Sequence, residues 1–154
     1  MPDVTETITV AASPEALYAL VSDLPRMGEW SPECTGVTWS ARTPGPAVGA
    51  RFTGRNRAGA ARWLTQGRVL EATPARTFTF AIHFGPIPIA LWSYTFTPLD
   101  AGVLVTESWT DRRPAPLRLA MNAAFGDRAD LNRRGMRTTL ERLRSTAESA
   151  HAPS

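Results

Sequence analysis

The chain opens on an alternation. Val4, Glu6, Ile8 and Val10 fall on one side and Thr5, Thr7 and Thr9 on the other, which predicts a strand over residues 4–10. Ser13-Pro14 is a helix cap with proline in the first turn, and it predicts a helix over 15–21. Asp23-Leu24-Pro25 starts a second short helical piece that ends near Gly28, and Trp30-Ser31-Pro32 closes it. Six more strands are predicted over 33–42, 49–57, 62–73, 76–85, 88–98 and 103–112. Their separators include Pro44-Gly45-Pro46, Arg57-Ala58-Gly59, Pro74-Ala75 and Asp100-Ala101-Gly102, and loops this short make successive strands antiparallel neighbours. From Pro116 the period becomes helical: Leu117, Met121, Phe125, Met136, Leu140, Leu143 and Ala147 recur on one face to about Ser149. Such a helix would span about 50 Å, with a break or kink expected near Gly126.

Strand parity sorts the side chains into two faces. Phe78, Phe80, Ile82 and Phe84 share a face, as do Trp92, Tyr94 and Phe96, and then Val103, Val105, Glu107 and Trp109. His83 falls on the opposite, wetter face. One apolar and one wetter face per strand is the mark of an antiparallel sheet covered on one side. With Trp39, Phe52 and Trp63, the inner face is crowded with aromatic rings, while the C-terminal helix offers mostly Leu, Met and Ala to cover them. Polar residues share these faces: Glu107 lies in phase with Val105 and Trp109, and Arg128 and Asn132 in phase with Phe125 and Met136. A buried carboxylate needs a partner, water or a pocket. An α+β fold accounts for the pattern, with a seven-stranded curved antiparallel sheet gripping a long C-terminal helix around a part-polar aromatic hollow.

Composition narrows the chemistry. The 154 residues are 43% apolar and 20% charged, an ordinary globular profile long enough for one real core. Every one of the 17 basic residues is arginine, so Schiff-base, pyridoxal-phosphate and phosphate-loop lysine chemistry are excluded. Cys34 is the only cysteine, which excludes an intrachain disulfide, and two histidines with one cysteine form no metal-ligand cluster. A net charge of +3 does not call for nucleic acid. Residues 1–10 lack the basic start of a secretory signal. The longest apolar run, 84–92, holds two prolines and is far short of the ~20 residues of a membrane helix. The chain is therefore expected in the cytoplasm, with no membrane insertion, as a monomer or homodimer.

The order strand, two short helices, six strands, long helix resembles the helix-grip fold of the START-like (SRPBCC) superfamily, in its polyketide cyclase/dehydrase-like branch. The resemblance is carried by Ile8-Thr9-Val10-Ala11-Ala12-Ser13-Pro14-Glu15, by Ser22-Asp23-Leu24-Pro25-Arg26-Met27-Gly28-Glu29-Trp30-Ser31-Pro32 and by Gly67-Arg68-Val69-Leu70-Glu71-Ala72-Thr73-Pro74. Trp92-Ser93-Tyr94-Thr95-Phe96-Thr97-Pro98, Val105-Thr106-Glu107-Ser108-Trp109 and the closing Gly135-Met136-Arg137-Thr138-Thr139-Leu140-Glu141-Arg142-Leu143 extend it over nearly the whole chain. It implies a single domain over 1–149 followed by a disordered tail over 150–154. It also implies that Trp30 and Pro32 border a cavity entrance. The superfamily spans carriers, cyclases, dehydratases, regulators and receptors, so the resemblance specifies fold more than function.

The first functional expectation is binding of an apolar or aromatic small molecule, lipid or polyketide-like, between sheet and helix, with no cofactor and no metal. Its wall would be Trp30, Trp39, Phe52, Trp63, Phe78, Phe80, Phe84, Trp92, Tyr94, Glu107, Trp109, Met121, Phe125, Arg128 and Asn132. The second is a polyketide cyclase/aromatase or dehydratase in the same cavity, with Glu107 and Tyr94 moving protons. Glu107 should have a raised pKa unless Arg128 or another arginine pairs with it. The third is a protein-interaction or regulatory partner working through outward arginines, Arg51, Arg55 and Arg57 with Arg62 and Arg68 nearby. A solvated sheet face protected by charge explains the same arginines. Cys34 reads as a buried or half-buried thiol, and His83 and His151 as residues outside the chemistry.

Overall fold

The first strand ends up beside the last. In the computed structural model, which describes residues 1–151, β1 (Val4–Val10) pairs antiparallel with β7 (Gly102–Asp111), Val4 opposite Trp109 and Val10 opposite Val103. Between them come α1 (Pro14–Ser22), a 3-10 helix over Leu24–Glu29, β2 (Cys34–Trp39), β3 (Arg51–Ala58), β4 (Ala61–Thr73), β5 (Thr77–Phe84) and β6 (Ile87–Leu99). The seven strands form one antiparallel sheet in the order β1-β7-β6-β5-β4-β3-β2, so every hairpin after the helices joins adjacent strands. The second helical piece is a 3-10 helix. Pro25 stands in its first turn, and no side chain caps it. By contrast, α1 begins as the sequence predicts, with the Ser13 hydroxyl accepting from the Ala16 N–H at 3.1 Å and Pro14 supplying a preset φ.

The single long C-terminal helix expected from periodicity is two helices, α2 (Ala115–Phe125) and α3 (Arg128–His151). Gly126 separates them at φ 92°, ψ 172°, a conformation open to glycine and strained for other residues. The 24 residues of α3 extend about 36 Å, enough to cross the sheet alone. The helix passes Ser149 into the segment expected as tail, and residues 152–154 lie outside the described residues.

Helix α3 crosses β1 and β7, while α1 covers β5 and β6. Val10, Leu17, Leu24, Phe78, Val103, Val105, Leu140 and Leu143 are buried between these layers. The Tyr18 ring of α1 meets Phe78 and Phe96 edge-on at 6.1 and 6.3 Å, so the aromatics of the sheet are covered by α1 as well as by α3. Three bulges alter the parity, the first at Thr35 of β2, between the Cys34–Asn56 and Gly36–Arg55 pairs. Leu70 is an extra residue of β4 between the Val69–Phe80 and Glu71–Thr79 pairs, and Ile89 is an extra residue of β6 between Ala90 and Pro88. Gly67 faces the Phe52 ring across the β3–β4 pair, and a Cβ there would collide with that ring.

Candidate functional site

Toward the β3–β4 and β5–β6 turns the inner face of the sheet opens on a hollow. A cavity of about 1120 Å3 occupies the gap between that face, α2 and α3. Sheet residues Phe52, Trp63, Phe80, Phe84, Trp92 and Trp109 form its aromatic wall. Met121 of α2 and Arg128 and Asn132 of α3 close it from the other side. These nine were expected there, together with Tyr94 and Glu107, which also line it.

Four expected wall residues lie elsewhere. Phe78 is fully buried beneath α1, its ring against Tyr18 and Phe80. Trp39 packs edge-on against Phe52 at 5.8 Å and is not part of the lining. Trp30 is buried in the core under the Arg26 guanidinium, 5.5 Å from its ring centre, so it does not border the entrance, although Pro32 does. Phe125 is 75% exposed, because the break at Gly126 puts α2 out of phase with α3.

Several lining residues escaped the sequence reading. Ile87 and Ile89 face the cavity because the bulge at Ile89 reverses the parity that put Trp92 and Tyr94 inside. Leu117, Leu131 and Met136 carry the helical side of the wall, and Cys34, Val37 and Thr65 the side toward β2 and β4. Leu117 and Met136 did stand in the predicted helical stripe, which was the available signal. The Cys34 thiol is buried, donates weakly to the Gly36 carbonyl at 3.5 Å, and burial pushes its pKa up. A thiol so placed is a poor nucleophile.

The polar centre is a row across three strands. Glu6 of β1 stands opposite Glu107 of β7, which stands opposite Tyr94 of β6. The Tyr94 hydroxyl donates to Glu107 Oε1 at 2.7 Å, a buried hydrogen bond. Glu107 is 2% exposed, and its Oε2 has no hydrogen-bond partner. Arg133 and Arg137 of α3 turn to Glu6, at 3.6 and 3.2 Å, and Arg128 pairs with Glu33. None of these cations reaches Glu107. Burial therefore dominates and pushes its pKa up to about 8, the Tyr94 hydrogen bond opposing and the Glu6 charge adding to the rise. Burial, then the neighbouring Glu107, raises Tyr94 well above the usual tyrosine range. At neutral pH the pair is a neutral acid hydrogen-bonded to a neutral phenol.

The rim is held by charge. Arg113 grips Asp111 with two hydrogen bonds of 2.9 and 2.7 Å and reaches Asn122 Oδ1 of α2 at 3.2 Å. Burial alone would raise the Asp111 carboxyl, but the Arg113 hydrogen bonds and charge outweigh it and hold it below its ordinary value. On the outer face, Arg51 stands opposite Arg68 and Arg57 opposite Arg62, all exposed as parity predicted, with Arg57 also reaching the rim. His83 is outside the cavity, its Nδ1 2.9 Å from the Gly85 carbonyl. Among the described residues no three His, Cys, Asp or Glu side chains could hold a metal ion together, and no helix is long and apolar enough to cross a membrane.

Known proteins place this architecture. The chain is 35% identical to a polyketide-cyclase-like protein of Corynebacterium glutamicum, covering 94% of this chain and 90% of that one with a TM-score of 0.60. One domain's worth of StfQ, the di-domain ARO/CYC of the steffimycin biosynthetic pathway, superposes with a TM-score of 0.74 at 14% identity. That match covers 96% of this chain and 51% of StfQ, a likeness of fold alone. The persistence and stress-resistance toxin PasT of Escherichia coli is 29% identical over 100 residues, 65% of this chain and 61% of PasT, so the match spans less than two thirds of that relative. Residues 1–148 match the family described as polyketide cyclase / dehydrase and lipid transport, and with the helix-grip fold and a lined cavity in place, this chain belongs to it.

Proposed function

We propose that the protein binds an apolar or aromatic small molecule, lipid or polyketide-like, in the cavity between the sheet and the helices α2 and α3. The observation that carries the reading is the cavity itself. At about 1120 Å3 it lies just above the usual size of small-molecule sites, and its wall is mainly aromatic and aliphatic, with polar and charged groups among the lining. Filling it would remove a large apolar area from water, at roughly 25 cal/mol per Å2. Membership of a family described by both cyclase/dehydrase and lipid transport supports the same reading. Native mass spectrometry of freshly purified protein, followed by denaturing extraction, tests it. A released apolar molecule is the expected result. Empty protein that also fails to bind fluorescent lipids and polyaromatics would overturn it.

A second reading, cyclase or dehydratase activity, is favoured by one observation: the buried Tyr94–Glu107 pair stands in the wall of the same cavity. With its proton retained at neutral pH, Glu107 is suited to act as a general acid. Turnover of polyketide-like chains would then fall strongly in Glu107→Gln. Unchanged turnover would remove Glu107 from the chemistry.

A further inference from the structure

Glu107 is the side chain of the cavity wall that is almost wholly buried and still leaves a polar atom without a partner. An unsatisfied buried oxygen is costly, and native structures retain few. Structural need does not account for it, because leucine would fill the same place between Val105 and Trp109 without that cost. The hydrogen-bond directions are constrained. Tyr94 has one hydroxyl proton and gives it to Oε1, so the proton of the neutral carboxyl belongs on Oε2.

The groups around it keep it neutral. On β1, Glu6 is the register neighbour, and its charge is taken up by Arg133 and Arg137 of α3. On β6 the neighbour is Tyr94, itself un-ionised. Along α3 the cavity side presents Asn132, Met136 and Thr139, none of them ionisable, before Arg128 and Arg142 farther along the helix. Arg128 is paired with Glu33.

We propose that the Glu107 carboxyl donates a hydrogen bond to the bound molecule, so that the cavity selects apolar ligands carrying a carbonyl oxygen within their apolar body. A hydrocarbon of the same shape would leave Oε2 as it is now, whereas a ketone oxygen would satisfy it. This rests on the cavity being a binding site and adds the chemical class of its ligand. Because donation requires the acid form, the preference disappears as the pH rises through about 8, where the carboxyl ionises beside Glu6.

A matched pair of probes tests it: 9-fluorenone and fluorene, which differ by one carbonyl oxygen, measured by isothermal titration calorimetry. At pH 6 the ketone should bind about tenfold more tightly than the hydrocarbon, the usual worth of one buried hydrogen bond. At pH 9.5 the preference should be lost. Glu107→Gln cannot ionise and keeps an amide donor, so it should retain the preference at both pH values. Glu107→Leu should abolish it at both. Equal binding of the two probes by the native protein, or an unchanged ratio in Glu107→Leu, would overturn the donor role while leaving the cavity a binding site. Failure of both probes to bind, together with failure of fluorescent lipids, would overturn the cavity reading and this one with it.

Discussion

The inner face of the sheet is treated differently at its two ends, and β5 shows the contrast within a single strand. Phe78 and Phe84 lie on the same face of β5, six residues or about 20 Å apart. Phe78 is fully buried, against Tyr18 of α1, whereas Phe84 is 57% exposed at the cavity. The end beneath α1 and the second half of α3 is close-packed, with Leu17, Val105, Leu140 and Leu143 filling the space. At the other end, Trp63 and Ile87 of the sheet and Met121 and Leu131 of the helices line a shared void. An alternating pattern therefore assigns a face, and the covering element decides whether that face becomes core or wall.

Substitutions on that one strand put the contrast to the test. Phe78→Ala should cost about 3–5 kcal/mol of stability by chemical denaturation, the price of a deep aromatic deletion. Phe84→Ala, on the same face, should cost less than about 1 kcal/mol and should instead weaken uptake of a polyaromatic probe several-fold. Equal destabilisation by both would mean that the two ends are packed alike, and the distinction between core and wall would fail.

The next effect in size is the pH response of Glu107, which contrasts two glutamates of the same row. In the unfolded chain Glu107 ionises near 4.5, while in the fold its pKa is about 8. The folded state thus holds a proton that the unfolded state has released. The stabilisation this brings is fully present below pH 4.5 and is lost as pH rises to about 8, at up to about 1.4 kcal/mol per pH unit. Glu107→Gln should flatten that slope and raise the melting temperature at pH 8. Glu6→Gln should flatten it only slightly, because burial dominates the rise and the Glu6 charge, paired with Arg133 and Arg137, is its smallest cause. A native profile as flat as the Glu107→Gln profile would show that Glu107 is ionised in the fold.

That difference between Glu6 and Glu107 marks the limit of what the sequence discloses. Strand parity put Glu107 on the inner face with Phe80, Trp92 and Trp109, and it grouped Glu6 with Val4, Ile8 and Val10. Which cation meets which carboxylate was not legible: Arg128 could be placed near Glu107 by helical phase, yet it pairs with Glu33, 95 positions away. Long side chains choose partners in three dimensions, and periodicity along one element carries no record of that choice. Bulges are illegible for a related reason. Pro88 in an inner strand hints at an irregularity but not at which residue is extra, so Ile89 escaped an argument that assumed unbroken alternation, while Ile87 lay just before the strand expected over 88–98. The role of α1 was hidden as well, since covering Phe78 and Phe96 with Tyr18 depends on how the helix lies over the sheet. Gly126 was legible because glycine carries a backbone preference in its own identity.

The smallest effect probes the outermost part of the wall. Helix α2 has no buried residue, yet Leu117 and Met121 line the cavity while Leu119 is 70% exposed and Phe125 is 75% exposed on other sides of the same helix. It is tied to the sheet end by Arg113, whose guanidinium bonds both Asp111 and Asn122. If periodicity alone ruled, Phe125 and Met121 would do the same work. Since the break at Gly126 separates them from α3, Phe125→Ser should change stability by no more than about 0.5 kcal/mol and leave probe affinity unaltered. Met121→Ser should leave stability equally unaffected but weaken the probe two- to threefold, or roughly 0.5 kcal/mol. Loss of binding in Phe125→Ser would mean that α2 turns this ring inward around a ligand, and the boundary drawn between wall and surface would have to move outward by one helical turn.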